Sequence, residues 1–531
     1  MLLPALFPRY ALPWTRRITN CIWEGGLWPP LFVKIMKTIP SREDFITLAK
    51  GSNIIAVSTE LFNDLDTPVS VYYKLVGEEK GFLLESVEVN QKYGRYSFIG
   101  AEPFIRLEVY ADQLMMEQNG HMRCYEGAPV DTIKRFMAKF STPTPEKPLP
   151  LINGGVIGYL NYDIVATFDR VRGLDLGEED LLGQFMMCRQ LVMFDQLRHT
   201  TRLVYMAETD GTDAGAIYDK AVEALKKTEE KLAAPLENIH QYNEPRQDKL
   251  DFLARYGEMT ESFDNIIKSC RDHIIAGDIF QIVPSQQFRE KITQPPFTFY
   301  RRLRQANPSP YMFYLNFGET KLVGASPEML VRVAGDELTT YPIAGTRRRG
   351  ANDAEDEALM ADLLQDEKEC AEHSMLVDLA RNDIGRISEA GSVRVTKLKV
   401  IEKFSHVMHM VSEVKGKKKP EYTPMDVLKA CFPAGTVSGA PKLRAMEIIN
   451  ELEAVRRNAY AGIVGYLDFD GNMDTCITLR TMRIEGDEAI IQAGAGIVYD
   501  SVAINEYREI LQKAKVLFGI VEEVENNAVA P

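Results

Sequence analysis

The chain has 531 residues, 45% of them hydrophobic and 26% charged, and a formal net charge of -14. That length predicts two domains or two interleaved lobes with ample apolar area to bury, and the composition is that of an ordinary soluble globular protein. The acidic balance argues against nucleic acid or an anionic membrane as the main partner, because such binding is led by clustered Lys and Arg, and no apolar run approaches the length of a bilayer span.

Residues 1–35 are Leu-, Pro- and Trp-rich, with Arg9, Arg16, Arg17 and Lys34 against the single acid Glu24. They read as a non-native or disordered extension, with Met36 as the working start. A targeting peptide is the rival reading, though the segment lacks a clean apolar core and a small-residue cleavage site. Ser41 is placed to cap a helix that opens with Arg42-Glu43-Asp44. From Thr67 to Tyr205, short apolar runs separated by Gly, Pro and Asn, such as Gly154 to Leu160, predict antiparallel strands. Residues 214–233 predict a helix, so 36–233 read as a β-rich N-terminal lobe, regulatory or structural. The stretch 234–255, with Pro235 and Pro245, is the linker candidate. Residues 256–520 alternate helices (Thr260 to Ala276, Ala354 to Arg381) with strands (Lys321 to Gly324, Ala489 to Gln492), and 521–531 read as a flexible tail.

The cysteines (Cys21, Cys124, Cys188, Cys270, Cys370, Cys431 and Cys476) are scattered and never form Cys-x-x-Cys. Neither a disulfide framework nor a zinc site is suggested, and a reducing cytoplasm fits best. Trp14, Trp23 and Trp28 are the only tryptophans. The body of the chain lacks the residue either by drift, with Phe and Tyr in its place, or because the protein must still be translated when tryptophan is scarce.

Two glutamate pairs, Glu369-x-x-Glu372 and Glu506-x-x-Glu509, each put two carboxylates on one helix face. Like charges one turn apart cost roughly 0.2–0.5 kcal/mol per pair, so four facing one point make sense around a cation, and an all-oxygen set suits Mg²⁺. Either pair alone is as readily a solvated helix face. Pro342 to Thr346 and Gly494-Ala495-Gly496 offer glycine turns whose bare N–H groups can approach an anion. The Phe432 to Lys442 loop enters a helix but lacks the order of a nucleotide-binding loop, so it is not read as an ATP site.

Together with Phe280 to Val283, Gly324 to Glu328, Val407 to His409 and Asp474 to Arg480, these motifs resemble the chorismate-utilising enzymes, most closely their anthranilate synthase branch. The resemblance spans nearly all of residues 256–520. It implies an α+β fold of two largely antiparallel sheets packed as a sandwich with helices outside. It also implies that chorismate and ammonia give anthranilate and pyruvate. Positions matching Glu372 and Glu509 would hold Mg²⁺ on the ring carboxylate, with Glu369 and Glu506 adjacent or acting through water. Gly345, Thr346, Gly494, Ala495 and Gly496 would assist, and Tyr460 and Arg480 would hold the enolpyruvyl group. Lys442 is counted with the substrate-binding residues, and Gln281 and Thr436 with the catalytic ones. Glu328 matches a general acid for the departing hydroxyl, and His409 the histidine of the pyruvate-elimination step; His373 and His406 are left as core residues.

Ala344 stands where aminodeoxychorismate synthases carry an attacking lysine, and Gln281 where isochorismate and salicylate synthases use a lysine to activate water. The chain has no Gly-x-Cys-x-Gly nucleophile turn, so a separate glutamine amidotransferase subunit is implied, in a heterotetramer of two large and two small subunits. Glu85, Ser86, Pro310, Tyr311, Met312 and Cys476 match a tryptophan feedback pocket. The alternatives are an aminodeoxychorismate synthase and a non-catalytic, amino-acid-binding regulatory subunit.

Overall fold

The computed structural model describes residues 37–61, 65–86, 95–144, 151, 153–209, 211, 213–236, 249–403 and 407–527. The proposed start at Met36, the three tryptophans, Pro245 and His406 lie outside them. Every strand pairing among the described residues is antiparallel.

Two long strands, Tyr96–Val109 and Gly183–Asp195, pair along most of their length and feed two sheets. In the first, Ile54–Leu61, Thr200–Glu208 and the C-terminal half of Gly183–Asp195 lead through the start of Tyr96–Val109 to Gly81–Glu85. Gly81–Glu85 then pairs with Tyr311–Asn316, and the sheet continues through Thr320–Ser326, Thr481–Glu485 and Glu488–Gly494 to Ser285–Lys291. In the second sheet, Gly155–Leu160 beside Gly183–Asp195 pairs with Ile463–Asp468, followed by Met473–Ile477, Met329–Ala334, Glu337–Thr340, Val407–Lys417 and Arg394–Lys403. The shared strand changes sheet at an irregularity between Pro103 and Ile105, beside Glu102 at φ 55. One extra residue there bends the strand, as at sandwich corners.

The core between the sheets draws on both ends of the sequence, with Phe82, Tyr159, Phe185, Phe313, Leu322, Val331 and Met473 all buried. Burying each such side chain contributes roughly 1.5–3 kcal/mol. Side-chain caps open several helices, at Ser41 as expected. Ser41 Oγ accepts from Asp44 N–H at 3.2 Å ahead of Arg42–Leu48, Asp213 caps Ala214–Ala233, and Thr260 caps Glu261–Ile275.

Three expectations need correction. The helix expected over Ala354 to Arg381 is two, Asp353–Gln365 and Glu367–Gly385, because Asp366 adopts an extended ψ of 106 and its carboxylate caps Glu369 N–H at 3.1 Å. The run from Thr67 to Tyr205 also holds helices Pro68–Leu75 and Pro129–Met137, each opened by a proline in its first turn. Of the tail expected over 521–531, residues 521–527 belong to helix Ala503–Asn527, where Val521, Val524 and Glu525 are buried, and the rest lies outside the described residues. Glu525 holds that turn down by accepting from the Thr293 and Gln294 N–H groups at 2.8 and 3.0 Å.

Candidate active site

The site is assembled around strand Ile343–Arg348 and the two glutamate-bearing helices. Ile343–Arg348 pairs with Val407–Lys417 and slips register between Ala344 and Thr346, so the glycine expected in a turn sits in a bulge within the strand. Gly345 has φ +71, and a Cβ there would lie 3.0 Å from Leu363 Cδ1 and 3.2 Å from Glu369 Oε2. Both the left-handed backbone and the space therefore call for glycine. Across the bulge, His409 Nδ1 lies 3.2 Å from the Gly345 carbonyl and 3.0 Å from Thr346 Oγ1. A carbonyl only accepts, so Nδ1 carries the proton and Nε2 the lone pair. Burial, with the Arg480 charge adding to it, brings His409 down to about 4, so the ring is neutral near pH 7.

Helix Glu367–Gly385 presents Glu369 and Glu372 to this strand. Burial and then repulsion from Glu372 raise the proton affinity of Glu369, against the pull of Arg347, whose guanidinium also reaches Asp362 and Asp366 at 2.7 and 2.8 Å. Gln281 Nε2 donates to Glu372 Oε1 at 2.9 Å and would stand 3.0 Å from a Cβ at Gly496. Glu372 thus borders the 494–496 loop. From the other side, helix Ala503–Asn527 carries Glu506, raised mainly by burial and further by Glu509. Lys368, on the first helix, pairs with Asp500 just before the second, and its charge is felt at Glu506.

Lys513, one turn beyond Glu509, was not singled out by sequence reasoning. It pairs with Glu509 at 2.8 Å, donates to the Gly494 carbonyl at 2.9 Å, and its charge reaches Glu328. As the i+4 neighbour of Glu509 it has the signature of a surface helix pair, and only the Gly494 contact separates it from one.

Glu328 follows strand Thr320–Ser326, and its Oε1 accepts from Thr436 Oγ1 at 2.9 Å. Burial raises it to about 7, against the opposing effects of Thr436 and Lys513. Arg480 connects strands Met473–Ile477 and Thr481–Glu485 at φ 45, a conformation unusual outside glycine. Burial disfavours its charge, and no side chain among the described residues bonds its guanidinium. Tyr460, nearly buried, would place its hydroxyl 2.7 Å from a Cβ at Gly494, which sets it beside the same loop. Lys442 Nζ is held by Asp383 at 2.9 Å and the Cys431 carbonyl at 3.5 Å.

Among the described residues no three carboxylate, imidazole or thiol groups stand close enough to grip a metal as the side chains are set. The donor set nevertheless fits Mg²⁺ in kind: hard carboxylate oxygens on two helices, with Glu369 and Glu506 each carrying the repulsion of a like charge.

Glu85 faces Met312 across the pairing of Gly81–Glu85 with Tyr311–Asn316, and Ser97 on its other side. Its buried carboxylate accepts from Tyr300 Oη at 2.6 Å and Arg304 Nε at 2.9 Å. Tyr311 donates to Asp474 at 3.0 Å, two residues before the buried Cys476. Pro310 and Ser86 flank these strands and are half-buried.

The profile of the chorismate binding enzymes matches residues 81–519. Anthranilate synthase component 1 of Acetivibrio thermocellus is 42% identical over 494 residues, covering 91% of this chain and 98% of that protein. The Pseudomonas aeruginosa protein of the same name is 41% identical over 505 residues, covering 92% and 99%. Among solved structures, anthranilate synthase component I from Streptococcus pneumoniae TIGR4 matches with a TM-score of 0.69 at 38% identity, over 86% of this chain and 98% of that one. The menaquinone-specific isochorismate synthase MenF of Escherichia coli matches with a TM-score of 0.64 at 19% identity, over 90% and 98%, a likeness of fold. The chain belongs to the chorismate binding enzyme family. Within that family, relatives 41–42% identical to it and matched along nearly their whole length include component 1 of anthranilate synthase.

Proposed function

We propose that the chain converts chorismate and ammonia to anthranilate and pyruvate, the first step of tryptophan synthesis. The observation that carries this reading is a half-buried acid, Glu328, raised by burial to about 7 and tied to the segment that carries Arg480, with Ile477 N–H donating to the Glu328 carbonyl at 3.0 Å and Ala325 N–H to the Arg480 carbonyl at 3.2 Å. The relatives' shared name supports it. A guanidinium fork suits a carboxylate, and Arg480 with Tyr460 binds the enolpyruvyl end. Glu372 and Glu509, with Glu369 and Glu506 beside them, hold Mg²⁺, which when bound neutralises and orients the ring carboxylate. Glu328, steadied by Thr436, protonates the departing 4-hydroxyl, since hydroxide leaves poorly. His409, neutral and with its lone pair on Nε2, serves the proton transfer of pyruvate elimination. Gln281 positions Glu372 by the hydrogen bond its amide donates. With Ala344 and Gln281 in place of lysines, the covalent and water-adding sister reactions lack their nucleophile and base.

The ammonia comes from glutamine through a partner amidotransferase subunit, and tryptophan inhibits through the region of Glu85, Ser86, Pro310, Tyr311, Met312 and Cys476. The purified chain, given chorismate, Mg²⁺ and ammonium, is expected to release fluorescent anthranilate and pyruvate in equal amounts. An aminated, non-aromatic product without pyruvate would select the aminodeoxychorismate reading instead. No turnover at all would select the regulatory subunit.

A further inference from the structure

Glu328 and Thr436 line a second space besides the site described above: a partly open cavity of about 50 Å³ whose walls include Leu376, Leu379, Ala380 and Ile477. Asp383 also lines it. Its side chain is nearly buried, Oδ2 takes Lys442 Nζ at 2.9 Å, and Oδ1 is buried without a partner among the described residues. A buried acceptor left open is costly and calls for an explanation. The space exceeds the ~10–15 Å³ that one water needs, and Glu328, Asp383 and Thr436 give water polar partners along its partly apolar wall.

We propose that this cavity is the path by which Glu328 regains its proton, and that Asp383 is the positioning residue that anchors the water in it. The inference rests on the reaction proposed above. In that reaction Glu328 gives its proton to the hydroxyl, which leaves as water, and remains a carboxylate. The ammonia that adds to the ring releases one proton as it becomes an amine. A proton must therefore return to Glu328 in every cycle. Each water in the file accepts one proton and passes one on, so only O–H bonds are exchanged and the Asp383–Lys442 pair keeps its charge. The charged groups facing Asp383 are Lys442 and Arg386, with the buried Cys431 thiol beside them; Glu328 faces Lys513.

The test compares the parent with Asp383→Asn and with Ala380→Leu, which fills the passage and leaves the ion pair intact. Each is assayed with chorismate, Mg²⁺ and ammonium, in H₂O and D₂O and across pH, with thermal unfolding as the check on folding. Asp383→Asn is expected to lower kcat about 10-fold, less than the loss of a general acid itself, with KM for chorismate within about 2-fold of the parent. Its solvent isotope effect should rise, and imidazolium should restore part of the rate. Ala380→Leu should lower kcat in the same way. Parent-like kcat and isotope effect in both variants would overturn the proposal. So would a loss confined to Asp383→Asn and matched by its unfolding, which would make the pair structural. A parent that makes no anthranilate would overturn the reaction assignment itself, whereas an active parent with unaffected variants removes only the relay.

Discussion

Glu328 is a carboxyl group held away from water, and its protonation should be visible in both rate and stability. Its folded value, about 7, lies above the ordinary 4.5, so between those values the folded chain holds more protons than the unfolded one. Its contribution to stability is therefore present below 4.5 and falls as pH rises through 7. Glu328→Gln should remove that slope and stabilise the protein at pH 8 by about 1–2 kcal/mol, once solvent access to a half-buried group is allowed for. Urea titrations at pH 5 and pH 8 measure this. The same variant should lose about 10²–10⁴ in kcat, and the parent's kcat should fall as pH rises through 7. Glu328 and His409 could be nominated from the sequence because their motifs bring chemistry with them. Lys513 and Asp383 were not, since one lysine a turn after a glutamate and one aspartate near an arginine look like surface pairs until distant carbonyls and cavities are placed beside them.

The two glutamate helices show what local pattern does and does not determine. Their acids lie on one face as the 3.6-residue period requires, but the break at Asp366 was hidden inside an unbroken helical pattern. Asp366 ends one helix, caps the next and anchors Arg347. Asp366→Ala should cost about 1 kcal/mol from the cap and free Arg347 to move toward Glu369, weakening Mg²⁺ binding in calorimetry. Mg²⁺ at about 100 times its Kd should stabilise the parent by about 2.7 kcal/mol. Thermal melts should show that gain vanish with EDTA and in a Glu372→Ala, Glu509→Ala double variant. A gain that persists in the double variant would place the ion elsewhere.

At the scale of the molecule, short apolar runs between Gly, Pro and Asn marked many strands and the family resemblance implied the class of fold, yet neither gave the strands' partners. Gly81–Glu85 lies between Tyr96–Val109, near in sequence, and Tyr311–Asn316, far from it. Pairing at such separation depends on which faces bury together, and a strand's own pattern is silent on that. This junction is where Glu85 and Met312 meet, so the tryptophan reading belongs to the whole chain. Tryptophan should inhibit the parent, and Ser86→Ala should need more of it for half-inhibition; equal curves would rule the pocket out. Glutamine should drive the reaction only when the amidotransferase subunit is present, as an ammonium-free assay with and without it would show.

Because neighbouring strands come from opposite ends of the polypeptide, severing the backbone between 237 and 248 would leave raw edges on both pieces. Gly155–Leu160 would lose Ile463–Asp468, just as Gly81–Glu85 would lose Tyr311–Asn316. Exposed edges of this kind recruit whatever strand they meet. Separately expressed halves should therefore precipitate alone and recover solubility only when made together.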